Sequence, residues 1–170
     1  MTAAPEFELK KISPDGIPHA LEKAERYRLL NDPAQAESIC RDILAVDAGH
    51  QEALRALVLA LTDQFGARGS AEPAREARAS IAKLDDQYDR AYFTGIVFER
   101  ETRAYLQRDN VVRSAAYVGF RNAMEWYERA EALRPNDTVD TALRWNSCVR
   151  AIARERLEPD ERSHHELPLE

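Results

Sequence analysis

The sequence predicts an all-α protein built from paired helices. Alanine, leucine, arginine and glutamate dominate its 170 residues, glycine occurs only 6 times, and runs of β-branched residues are absent. These preferences favour helix over strand along nearly the whole chain. A chain of this length forms about one domain and can bury a real core.

The first helical pair is predicted from helical spacing and from the turns around it. Residues 1–16 are expected to be extended, with a turn signal at Pro14-Asp15-Gly16. Apolar residues then recur at helical spacing over 17–30. Asn31-Asp32-Pro33 ends this helix and begins the next, over 33–46, because aspartate is a good N-cap and proline a good first helical residue.

Later elements follow from the same signals. Five further helices are predicted: 51–65, 73–84, the two halves of a long region over 89–133 that breaks near Asp109, and 139–156. A glycine-containing loop is expected over 66–73. Residues 157–170 carry two prolines and five acidic residues, and we expect an acidic, flexible tail.

Small and large residues recur at fixed intervals in the second helix of two pairs. Ala123 is followed four residues later by Tyr127 and twelve residues later by Pro135; the same intervals separate Ala36, Cys40 and Ala48. This spacing resembles the second half of a tetratricopeptide repeat, which has a small residue, a large residue and then a proline within a unit of about 34 residues.

The first helices of these pairs carry the matching half of that pattern. Ala20, Ala24 and Tyr27, and later Tyr92, Gly95 and Phe98, stand where the repeat has a bulky residue, a Gly or Ala and an aromatic residue. The resemblance covers roughly 17–156. It implies a right-handed α-solenoid of about three hairpins, at about 17–50, 51–86 and 88–135, with a capping helix over 138–156.

Close helix packing explains why the pattern needs these residue types. Two antiparallel helices approach closely only where one presents Ala or Gly and the other a large ring. We therefore expect Ala24 to face Ala36 and Gly95 to face Ala123, with Tyr127 in the core. The third pair has an insertion of about sixteen residues relative to the period, so its helices should extend beyond a normal hairpin.

The resemblance also implies a protein-binding function. Ligands of this family usually lie along the first helix of each pair, on the concave face. The candidate partner-binding residues are Leu21, Glu25, Arg55, Leu59, Tyr92, Ile96, Arg100, Arg103 and, from the capping helix, Asn146. Leucine, tyrosine and arginine there suit an extended peptide or a partner helix. For Leu59 and Ile96, a purely structural role in the core is an equal alternative.

The insertion leaves two other partners open. Arginines alternate with aromatic residues over 99–122, as in a projecting hairpin that contacts protein, or in a surface that stacks on nucleic acid. Interspersed acidic residues and the net charge of −6 make nucleic acid the less favoured partner. The alternative to an adaptor is a self-assembling structural protein that associates through this hairpin or through an open repeat end.

Enzymatic and metal functions find no support in the sequence. His19 and His50 lie near helix ends, and His164-His165 lies in the acidic tail without a third ligand at a suitable spacing. No phosphate-binding loop or nucleophile motif occurs. We therefore expect a non-enzymatic protein without a metal or another cofactor. Two widely separated cysteines and no signal-peptide or membrane-spanning pattern favour the cytoplasm.

Overall fold

The computed structural model describes residues 7–69 and 71–160, except the side chains of residues 67 and 68, and this part of the chain is all-helical. It contains no β-strand. Its α-helices are α1 (Ile17–Leu29), α2 (Pro33–Val46), α3 (Gln51–Thr62), α4 (Phe65–Arg68), α5 (Ala71–Ile81), α6 (Gln87–Tyr105), α7 (Arg113–Leu133) and α8 (Val139–Arg154).

Local capping sets several of these helix starts. The Asp32 side chain accepts a hydrogen bond from the Gln35 backbone N–H at 3.2 Å, and Pro33 is the first residue of α2, as the sequence predicted. Asn31 supplies the sharp turn with a left-handed backbone, φ 59°. Asp86 caps α6 in the same way, accepting from the Tyr88 N–H at 2.8 Å.

The predicted loop over 66–73 is wrong in its extent. Residues 65–68 form the short helix α4, and α5 begins at Ala71, so Pro73 lies inside the first turn of α5. Proline is tolerated there because the first backbone N–H groups of a helix have no partner within the helix. In the N-terminal segment, Pro14–Gly16 forms a 3₁₀ turn, as the turn signal there predicted.

Each helix packs mainly against its neighbours along the chain. The pairs in contact include α1–α2, α2–α3, α3–α5, α5–α6, α6–α7 and α7–α8. In addition, α1 contacts α3, and α3 contacts α6. One apolar cluster follows this order from Ala24 in α1 to Ala151 in α8, and Ala36 and Ala123 are fully buried within it.

Two glycines let α6 and α7 approach closely. A Cβ atom on Gly95 would lie 2.5 Å from Cε1 of Tyr127, so only glycine leaves room for that ring. At the other end of the pair the relation is reversed, because a Cβ atom on Gly119 of α7 would collide with the side chain of Thr102 in α6. Tyr127 lies in the core, as expected, and its ring fills the notch at Gly95. The direct facing of Gly95 and Ala123, and of Ala24 and Ala36, stays a prediction.

The last described residues turn back onto the core. Arg156 has a left-handed backbone, φ 50°, and Leu157 behind it is 5% exposed and packs against the main cluster. The predicted tail thus begins with a docked residue, and its residues 161–170 lie outside the described part of the chain. Among the described helices, none has both the length and the apolarity needed to cross a bilayer.

Candidate partner-binding surfaces

We call the predicted binding residues of α1, α3 and α6, apart from Ile96, the first-helix face. It contains Leu21, Glu25, Arg55, Leu59, Tyr92, Arg100 and Arg103. Glu25 is exposed, and the other six are partly exposed. Leu21 and Leu59 each pack one side against apolar clusters, so they contribute to the core as well as to the surface.

Ion pairs connect successive helices along the first-helix face. Arg55 Nη1 lies 2.8 Å from Asp89 Oδ2, a pair separated by 34 residues in sequence. Asp63 contacts Arg28 of α1 at 2.9 Å and Arg100 of α6 at 2.5 Å, across separations of 35 and 37 residues. These separations are close to the repeat length of about 34 residues. Arg55 and Arg100 are therefore already engaged within the protein.

Arg103 belongs to a buried polar cluster between α6, α7 and α8. The Glu99 side chain is 1% exposed and lies 2.9 Å from Arg103 Nη2, and it accepts a hydrogen bond from the Tyr127 hydroxyl at 2.7 Å. Arg103 also donates to Ser147 Oγ in α8 at 2.8 Å. Burial, reinforced by the nearby Glu99 carboxylate, raises the pKa of Tyr127, so this hydroxyl remains a hydrogen-bond donor.

Tyr92 lies in a group of aromatic side chains. Its ring stacks on Tyr88 at a centroid distance of 5.8 Å and an interplanar angle of 7°, and it also contacts Phe93 and Tyr127. These contacts hold the Tyr92 ring in place before a partner binds. Binding would therefore cost little further conformational entropy of this side chain. A cavity of about 350 Å³ opens beside it, lined also by Leu143 and Arg144 of α8.

Ile96 is not a surface residue. Its side chain is 1% exposed and lies in the main apolar cluster, so the prediction that it contacts a partner is wrong. The alternative, a structural role in the core, holds for this residue. Ile96 lies one helical turn after Tyr92, and that spacing predicted the same exposure for both. Because α6 contacts α3, α5 and α7, fewer of its residues are exposed than helical spacing alone predicts.

Asn146 is exposed but lies in a different cavity from Tyr92. It lines a groove of about 520 Å³ between the end of α7 and the middle of α8, which we call the α7–α8 groove. The other lining residues are Glu128, Glu131, Ala132, Pro135, Ala142 and Trp145. Their convergence could not be read from spacing along one helix, because they come from α7, from α8 and from the turn between them.

The arginines of the inserted region all have partners inside the protein. Arg103 lies over the ring of Phe120, Arg108 over Tyr105 and Arg121 over Trp145, at 5.5, 5.7 and 6.0 Å from the ring centroids. Arg100 pairs with Asp63, and Arg113 donates to the Glu155 carbonyl oxygen. Arginine and aromatic side chains that looked available for a ligand therefore bind mainly to each other.

The two cysteines are buried in the helical core. Cys40 and Cys148 are both free thiols, and burial raises their pKa values to about 11 and about 12. A thiol that stays protonated at neutral pH is a poor nucleophile. Within the described residues, no group of three or more histidines, cysteines or acidic residues is placed to hold a metal ion.

Comparisons with known proteins give no relative from which a function could be inferred. No family model, curated protein or solved structure matches this chain.

Proposed function

We propose that this chain is a non-enzymatic adaptor whose helices form a short right-handed solenoid of the tetratricopeptide type. The order of helix contacts supports this architecture, because α1, α3 and α6 touch in succession while each also packs on its own partner helix. The ion pairs spaced by 34, 35 and 37 residues support it further, since equivalent positions of stacked repeats meet at that separation.

The observation that carries the binding function is the prearranged surface of the first-helix face. Its aromatic ring at Tyr92 and its arginines are held by stacking and by ion pairs before any partner arrives. A preformed surface lowers the ordering cost of binding, and a few anchors then supply most of the affinity. The ligand we propose is an extended peptide or a helix of another protein. Free, buried cysteines are compatible with action in the reducing cytoplasm.

Site-specific photo-crosslinking tests this proposal. A photoreactive amino acid is placed at Glu25 or Arg55 of the first-helix face and, as a matched control, at Ala79, which is exposed on α5. Each variant is irradiated in a lysate of the source cells at low protein concentration. We expect the same partner to be crosslinked from Glu25 and Arg55 and not from Ala79. Crosslinks from Ala79 alone, or equally from all three positions, would contradict binding at the first-helix face.

A further inference from the structure

The α7–α8 groove has both an apolar and an acidic lining. Ala142 and Trp145 of α8 and Pro135 after α7 are among its apolar lining residues, and Glu128 and Glu131 of α7 are its acidic ones. Among the described residues, neither glutamate has an ion-pair partner. A ligand of the α7–α8 groove should therefore carry both an apolar side chain and a positive charge. The apolar side chain would pack against the apolar lining, and the positive charge would pair with the glutamates.

A segment of this chain has that chemistry and is itself unpacked. Residues 7–11 read Phe-Glu-Leu-Lys-Lys, a stretch outside the helices. Phe7 is 79% exposed and Leu9 is 92% exposed, and Lys10 and Lys11 are exposed without an ion-pair partner in the described structure. Residues 7–11 therefore offer two exposed apolar side chains and two positive charges, which match the apolar and acidic lining of the groove.

The groove and the segment belong to opposite ends of the helix order. Residues 7–11 precede α1, which packs on α2 and α3, whereas the groove is formed by α7 and α8. We infer that the α7–α8 groove of one copy binds residues 7–11 of a second copy. The inference goes beyond the proposed adaptor function and does not depend on it, because it uses neither the first-helix face nor a foreign partner.

The chain's other end is a poorer occupant on charge. Residues 157–170 contain five acidic residues and one arginine, so they would be repelled by Glu128 and Glu131. The docking surface and the docked segment are different parts of the chain. The contact can therefore pass from one copy to the next in an open series, or close when two copies exchange their segments.

Sedimentation velocity and light scattering on the full chain test the inference. A contact made by a segment of about five residues binds weakly, so we expect the weight-average mass to rise between about 10 μM and about 1 mM protein. The mass should fall again when salt is added, because salt screens the charge pairing. Glu128→Lys with Glu131→Lys should weaken association about tenfold or more, and so should Lys10→Glu with Lys11→Glu. The control Glu72→Lys with Asp109→Lys changes the net charge equally at exposed sites elsewhere and should associate like the native chain.

Mixing the two charge-reversed variants provides the decisive measurement. Each variant alone presents a groove and a segment of like charge, whereas in the mixture each groove meets a segment of opposite charge. We expect the mixture to regain association that neither variant shows alone. Phe7→Ser with Leu9→Ser, at exposed positions outside the helices, should also abolish association while leaving the circular dichroism unchanged. A native chain that stays monomeric at about 1 mM, or a mixture that stays monomeric, overturns the inference.

Discussion

The first and third helical pairs solve the same packing problem with different side chains. In α1–α2, Ala24, Ala36 and Cys40 are all fully buried in the main apolar cluster. In α6–α7, the predicted repeat aligns Tyr127 with Cys40; the Tyr127 ring requires Gly95 opposite it, and the hydroxyl requires an acceptor. A larger ring therefore brings further requirements that the small residues of the first pair do not have.

In the third pair, each polar group that is buried needs a further polar partner. The Tyr127 hydroxyl is buried and donates to Glu99, and Glu99 is a buried carboxylate that needs a cation, which Arg103 supplies. Arg103 in turn reaches Ser147 of α8. In this way Tyr127 belongs to a set of polar contacts that links three helices. The buried carboxylate of the first pair, Glu37 of α2, binds Arg41 and Gln64 instead.

The largest difference between the two pairs is expected in the stability lost when Tyr127 or Cys40 is replaced by alanine. Tyr127→Ala removes a buried ring and leaves Glu99 without its hydroxyl donor, so we expect a loss of roughly 3–5 kcal/mol in the free energy of unfolding. Cys40→Ala removes only a sulfur atom and should cost about 1 kcal/mol. Urea denaturation followed by circular dichroism measures both. Equal losses would show that the third pair does not depend on Tyr127 more than the first depends on Cys40.

The next comparison concerns the buried carboxylates of α6 and α2. Glu99 and Glu37 each pair with an arginine four residues later, Arg103 and Arg41, but the exposed fractions of those carboxylate side chains are 1% and 11%. Arg41 is itself 46% exposed and also binds Glu76. At neutral pH, Glu99→Gln should therefore cost about 1–3 kcal/mol. Glu37→Gln should cost less, about 1–2 kcal/mol, because Arg41 is partly solvated, although Glu37 also accepts a buried hydrogen bond from Gln64 Nε2 at 2.6 Å. A larger loss for Glu37→Gln in urea denaturation would reverse this ranking.

The smallest expected effect is at the contact that bridges the two pairs. Asp63 binds Arg28 and Arg100, and all three side chains are 21–26% exposed, so solvent screens the attraction. We expect Asp63→Asn to cost about 0.5–1 kcal/mol, with the difference from the native chain shrinking at high salt. Asp109→Asn, at an exposed position without an ion pair among the described residues, is the control and should leave the unfolding free energy unchanged. A loss above about 2 kcal/mol for Asp63→Asn would indicate that this bridge is central to stability.

The residues of the candidate surfaces were only partly predictable. Arg55, Tyr92 and Arg100 were predicted to contact a partner, and all three are partly exposed. The sequence did not show that Asp89 and Asp63 engage the two arginines. Helical spacing relates residues within one or two turns, so it does not reveal ion-pair partners that lie 34 to 37 residues away in the sequence. The α7–α8 groove was missed for the same reason, since Glu128 and Trp145 come from different helices.

By itself, the sequence determined the helical class, most helix boundaries and the buried position of Tyr127. Those features depend on capping and on 3.6-residue spacing, which act between residues close in the chain. Only the tertiary structure decided that Ile96 is enclosed, that Asn146 lies in a groove apart from Tyr92, and that Glu99 is buried beside Tyr127. Exposure and pairing depend on how closely separate helices approach, and that distance is set by the packing of the whole set of side chains between them.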